Sequence, residues 1–134
     1  MTAKIYTPEK FSAWIGGYSG NSYGVIWKND SLRYEIQEHG FMPSASGPQI
    51  IIPSQRKWMW FWKKLEKVRI WEWEENYNCT NIVDGTSWNV DIAYSGKVLT
   101  SGGRNAYPYF DDNEDVFGYF LKAVSTLLGG LTFC

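Results

Sequence analysis

The stretch Tyr23-Gly24-Val25-Ile26-Trp27-Lys28-Asn29-Asp30-Ser31-Leu32-Arg33-Tyr34-Glu35-Ile36-Gln37-Glu38 decides the fold. Tyr23, Val25 and Trp27 alternate with Gly24, Ile26 and Lys28, and Leu32, Tyr34 and Ile36 alternate with Arg33, Glu35 and Gln37. Successive strand side chains point to opposite faces, so each run presents one apolar face. Asn29-Asp30 between them suits a tight hairpin, because both residues tolerate positive φ. The chain therefore begins its sheet with an antiparallel pair.

The same pattern recurs downstream. Residues 87–94 and 97–101 read as two strands joined by Ser95-Gly96, and residues 68–77 read as a strand before them. Two stretches change to helical spacing. From Ser54, a cap candidate, to about Lys67, the residues Trp58, Phe61, Trp62 and Leu65 fall on one helical face. A last helix opens near Asn113 with Asp112 as its cap, carries the stripe Val116, Phe117, Phe120, Leu121, Val124, Leu127 and Leu128, and stops at Gly129-Gly130. Near the start, Thr7 as cap and Pro8 as first helical residue predict a short helix through Phe11, closed by the turn of residues 16–21. Residues 40–53 read as a loop, with Ile50-Ile51-Ile52 extended inside it. Hairpin, loop and helix in residues 23–67 are echoed weakly by residues 88–128. Hairpins plus two amphipathic helices imply an α+β domain, an antiparallel sheet of about five strands with both helices on one face.

Composition narrows the function classes. A chain of 134 residues fits one domain, spanning 1–134. A 44% hydrophobic and 20% charged composition excludes wholesale disorder. The net charge of −1 argues against a nucleic-acid binder that works by bulk electrostatics. There is no apolar run of the roughly 18 residues that a membrane helix needs, and no secretory signal, so a cytoplasmic setting is expected. Cys79 and Cys134 are accordingly read as free thiols. Cofactors are not indicated. His39 is the only histidine, two distant cysteines do not complete a zinc set, and no phosphate-loop pattern occurs.

Eight Trp, nine Tyr and seven Phe make 18% of the chain, and they direct the site candidates. Trp60 lies about 200° round the helix from Trp58, off the apolar stripe. Arg56, Lys63, Lys64 and Lys67 share that outer side, giving a Trp anchor in a basic patch suited to an acidic protein surface. A second candidate is an aromatic pocket between sheet and helices for a small aromatic or apolar ligand, lined by Trp27, Trp71, Trp73 and Trp88. The loop residues 101–108 add Arg104 and Tyr107, and Gly102-Gly103 there offer an anion-binding nest of backbone amides. A third candidate is the outer sheet face, where Glu35, Glu72, Glu74 and Asp91, with Arg33, Gln37, His39 and Asn89, offer a carboxylate cluster for a cation or for acid–base chemistry. No nucleophile–base set accompanies it, so binding is expected rather than catalysis.

Asp84-Gly85-Thr86-Ser87-Trp88, then Gly103-Arg104-Asn105-Ala106-Tyr107-Pro108, then Phe117, Phe120 and Leu121 resemble the ending of a group of small, mostly uncharacterised bacterial and phage proteins. The resemblance covers about a third of the chain. It implies a way of finishing the fold more than an activity, and it supplies no catalytic residues. Together with the small size it points to an interaction module that regulates or neutralises a partner, as immunity-type proteins do.

Overall fold

The computed structural model describes residues 5–17, 20–38, 42–43, 47–78, 85–110 and 115–133. Eight strands form one sheet: β1 (Lys10–Gly17), β2 (Ser22–Lys28), β3 (Ser31–Glu38), β4 (Met42–Pro43), β5 (Gln49–Ile51), β6 (Asn76–Asn78), β7 (Thr86–Tyr94) and β8 (Lys97–Arg104). Their order is β4-β3-β2-β1-β7-β8-β6, and β5 also pairs with β3, nearer its start than β4 does. All pairs are antiparallel except β6 with β8. The helices α1 (Gln55–Lys67) and α2 (Val116–Leu127) pack on each other and on one sheet face. The two-layer α+β architecture is the expected one, with eight strands in place of about five.

The centre of the sheet is the strand that sequence pattern takes for a helix. Residues 10–17 form β1, which joins the hairpin β2–β3 to the hairpin β7–β8. Phe11, Ala13 and Ile15 alternate inward and are buried. Ser, Ala and Gly between and beside them have little strand preference, so the period-2 signal is faint. Both expected hairpin turns hold. Asn29 and Asp30 take φ of 54° and 62°, and Ser95 and Gly96 take 52° and 79°. These are the paired positive values that a two-residue hairpin turn needs.

The expected strand over residues 68–77 is the second correction. Val68 ends α1, Arg69 is left-handed at φ 54°, and Ile70–Glu72 make a 3-10 turn. Only Asn76–Asn78 are a strand. The run Val-Arg-Ile-Trp-Glu-Trp alternates in polarity, but the indole of Trp73 folds back to donate to the Val68 carbonyl at 2.9 Å. That bond closes a turn where extended backbone was expected.

Ser54 caps α1 as expected, accepting from Lys57 N at 3.2 Å. Trp58, Phe61, Trp62 and Leu65 are its buried residues. The cap of α2 is Asp115, which accepts from Gly118 N at 2.9 Å. Asp112, the expected cap, lies outside the described residues. Gly129 and Gly130 end the helix with φ of 76° and 99°.

The core divides into two aromatic clusters. Under α1, Trp58 meets Phe11, Trp27 and Phe61 edge to face and stacks beside Trp62. Under α2, Trp73, Trp88, Phe117 and Phe120 pack together. Edge-to-face and offset arrangements add to the area such rings remove from water.

Tyr94 lies flat on Trp62, ring centres 4.0 Å apart. Burial raises its pKa above the ordinary 10.0, and the charges of Tyr6, Glu9 and Glu66 push the same way. Tyr77 is raised too, first by burial, against the opposing hydrogen bond from Glu74 N. The folded state therefore holds these phenolic protons more tightly than the unfolded chain does. The stabilisation is full below pH 10 and is lost as pH rises through the raised values. Thermal melts should show Tm falling above about pH 10, with a shallower fall in Tyr94→Phe.

Candidate functional site

The helices lie side by side, and a trough runs between their outer surfaces. Lys57 and Trp60 near the start of α1 face Leu127 at the end of α2, while Lys67 and Arg69 face Val116 and Tyr119 at its start. The helices are thus antiparallel. The wider end of the trough has a volume of about 520 Å³, bounded by Lys64, Lys67, Arg69, Phe110, Tyr119 and Lys122, with Val68, Val116, Ala123 and Thr126. The narrower end, about 210 Å³, is bounded by Lys57, Trp60, Phe61, Lys64, Ala123, Thr126 and Leu127. Lys64, Ala123 and Thr126 belong to both, so the two are one depression.

Its charge is one-sided. Lys57, Lys64, Lys67, Arg69 and Lys122 line it, and among the described residues no carboxylate does. In a chain of net charge −1 this is a local excess of positive charge. Part of it has a local cause, because Lys64 and Lys67 occupy the last turn of α1, where the helix dipole favours cations. That cause does not extend to Arg69 or Lys122. Arg69 adopts a left-handed backbone, which costs a non-glycine residue roughly 1–2 kcal/mol. The conformation sets its guanidinium 4.7 Å over the Phe110 ring. Aromatic surface is open at both ends, with Trp60 51% and Tyr119 53% exposed. Lys63 Nζ sits 4.9 Å over the Trp60 ring.

The basic patch expected around Trp60 is therefore half of this trough. Trp60, Lys64 and Lys67 line it, Lys63 covers the outer side of Trp60, and Arg56 is exposed but is not among the lining residues. Lys57, which also lines the narrow end, was missed, as were Arg69, Phe110, Tyr119 and Lys122. Arg69 is hidden by the strand-like pattern of residues 68–77, and Phe110, Tyr119 and Lys122 join the patch only through helix packing.

The four tryptophans offered for a ligand pocket do not surround one space. Trp73 and Trp88 are buried against each other, ring centres 5.9 Å apart, and each indole N–H is satisfied, by Val68 O and Ala106 O. Trp27 packs on Trp58 in the other cluster. Trp71 is half-buried, with Lys97 Nζ 5.7 Å from its ring. Arg104 is exposed at the end of β8, and Tyr107 packs on Phe117 at 4.8 Å.

Gly102 and Gly103 make no anion nest. Neither has positive φ, and both are strand residues. Gly103 is required by a close approach, since a Cβ there would lie 2.5 Å from Ala106 O and from Trp88 Nε1. The left-handed residue is Asn105, at φ 57°, whose N donates to Thr86 O at 2.8 Å. A Cβ on Gly85 would overlap the Asn105 carboxamide. The two halves of the motif quoted above thus meet: Gly85 against Asn105, and Trp88 bonded to Ala106.

The outer-face carboxylates are not one cluster. Alternation puts Glu35 and Asp91 on that face, where Asp91 accepts from Thr100 Oγ1 at 2.9 Å. Glu72 and Glu74 are instead in the 3-10 turn and the segment after it. Among the described residues, no group of three His, Cys, Asp or Glu could hold a metal. His39, Cys79 and Cys134 lie outside the described residues. Among the described residues, no helix is long and apolar enough to cross a membrane. No family model matches the sequence, and no curated protein matches it.

Proposed function

We propose that this protein is a binding module that holds an acidic segment of a partner protein in the α1–α2 trough, and by occupying that segment regulates or neutralises the partner. The observation that carries this reading is the lining: among the described residues, five cations and no carboxylate along one continuous depression. Its cations raise the local concentration of an acidic partner and speed encounter. Exposed Trp60 at the narrow end gives an aromatic anchor of the type that dominates interface energies. A protein is favoured over a nucleic acid because the cations sit in a short trough rather than along a stripe that would follow a phosphate backbone.

An acidic peptide, hexaglutamate flanked by a leucine at each end, is the direct probe. Fluorescence titration should show saturable binding that weakens with salt. Lys64→Glu with Lys67→Glu should weaken it at least about tenfold, or 1.4 kcal/mol. Trp60→Ala should weaken it too, and should move stability by no more than about 0.5 kcal/mol, as for an exposed residue. Binding unaffected by the double reversal would sink the proposal. A preference for single-stranded DNA of equal charge would replace the protein partner with a nucleic acid.

A further inference from the structure

The sheet face turned away from the helices carries a second concave site. Strand alternation sends Trp14, Gly24, Ile26, Arg33, Glu35 and Asn89 to that face, and register aligns Asn89, Trp14, Gly24 and Glu35 in one row across four strands. The row has a gap at Gly24. Among the described residues, a methyl group placed there would find only Trp14 Cδ1 within 4 Å, at 3.4 Å. The space left by the missing side chain lies between the Trp14 indole and the Glu35 side chain. It belongs to a cavity of about 340 Å³ that also reaches Arg33, Gln37 and Asn89. That is within the usual size of small-molecule sites, roughly 300–1,000 Å³.

Two charges of opposite sign face this gap. Arg33 and Glu35 are two residues apart on β3, hence about 6.6–6.8 Å apart along the strand. Arg33 Nε is enclosed and has no hydrogen-bond partner among the described residues. Because Nε is enclosed, a ligand in the gap does not reach it. An anionic group there pairs instead with the terminal nitrogens of the guanidinium, whose charge it neutralises.

We infer that this gap binds a small zwitterion with an apolar side chain, the chemical class of the α-amino acids. Its carboxylate meets Arg33, its ammonium meets Glu35, and its apolar part lies over Gly24 against Trp14. Ligands with a single charge are rejected, because either one leaves the opposite protein charge facing an unmatched group. The site shares no residue with the α1–α2 trough, so it stands or falls separately from the acidic-partner reading.

Calorimetric titration of the whole chain with L-phenylalanine is the test, with 2-phenylethylamine and 3-phenylpropanoate as single-charge probes. Saturable binding of the amino acid is expected, with both analogues at least about tenfold weaker. Gly24→Val fills the gap and Arg33→Gln removes the anion partner. Each should weaken L-phenylalanine at least tenfold while leaving binding of the acidic peptide at the trough unchanged. If Gly24→Val does not fold, Glu35→Gln carries the same expectation. No saturable binding of L-phenylalanine, equal binding by 3-phenylpropanoate, or undiminished binding in the variants would each overturn the assignment.

Discussion

Replacing Trp58 with alanine is expected to remove about 3–5 kcal/mol of stability, the usual cost of deleting a fully buried ring. Trp58 is completely buried. It is the point where α1 meets the centre of the sheet, touching Phe11 of β1 and Trp27 of β2, with Phe61 and Trp62 of its own helix beside it. A domain of this kind has roughly 5–15 kcal/mol in all, so the loss should shift the urea midpoint far toward zero or abolish folding. Trp58→Phe separates packing from polarity. The indole N–H of Trp58 is buried without a hydrogen-bond partner among the described residues. Leaving a donor so costs about 1–3 kcal/mol, and phenylalanine discards that donor while keeping a ring against its neighbours. The phenylalanine variant should therefore recover more than half of the alanine loss. Equal losses in the two would mean that a phenyl ring cannot replace the indole at this junction, and that neither the buried donor nor the retained ring volume decides the cost.

The strongly periodic parts of this fold were legible. Both helices, both hairpin turns and the burial of Tyr34, Trp88, Val90 and Ile92 follow from spacing of apolar residues and from turn chemistry. What misled was local plausibility without tertiary context. Thr7-Pro8 looks like a helix start, yet residues 10–17 are the middle strand because two hairpins need a partner between them. Val68 to Trp73 looks like a strand, yet a left-handed Arg69 and the Trp73-to-Val68 bond turn the chain. Helix–helix packing brings Lys122, Tyr119 and Phe110 to Lys64 and Lys67, and no pattern within one helix encodes that. The gap on the other face was hidden for a similar reason. Gly24 in a strand signals a close approach or a missing contact, and register alone shows that Trp14 and Glu35 flank it.

Gly103→Ala is the second large effect, and it tests what the motif shared by residues 85–88 and 103–106 is for. The added Cβ would sit 2.5 Å from Ala106 O and 2.5 Å from Trp88 Nε1. Neither can yield alone, since these two atoms are bonded to each other at 2.9 Å. Ala106 O belongs to the backbone of a turn that Asn105 N ties to Thr86 O. The Trp88 ring is wedged against Trp73 and Phe117. Overpacking of this sort costs about 1–3 kcal/mol, and loss of the indole bond adds to it. Gly24→Ala is the internal control, on a strand of the same sheet but with its nearest neighbour at an ordinary 3.4 Å. There the smaller entropy of the unfolded chain should make alanine neutral or stabilising by up to about 1 kcal/mol. Urea denaturation of the two variants should therefore move in opposite directions or differ by at least about 2 kcal/mol. If Gly103→Ala is as stable as Gly24→Ala, the close approach of Trp88 to the β8 backbone is not what holds the loop. The motif would then have to be explained by the exposed side chains of Arg104 and Tyr107 instead.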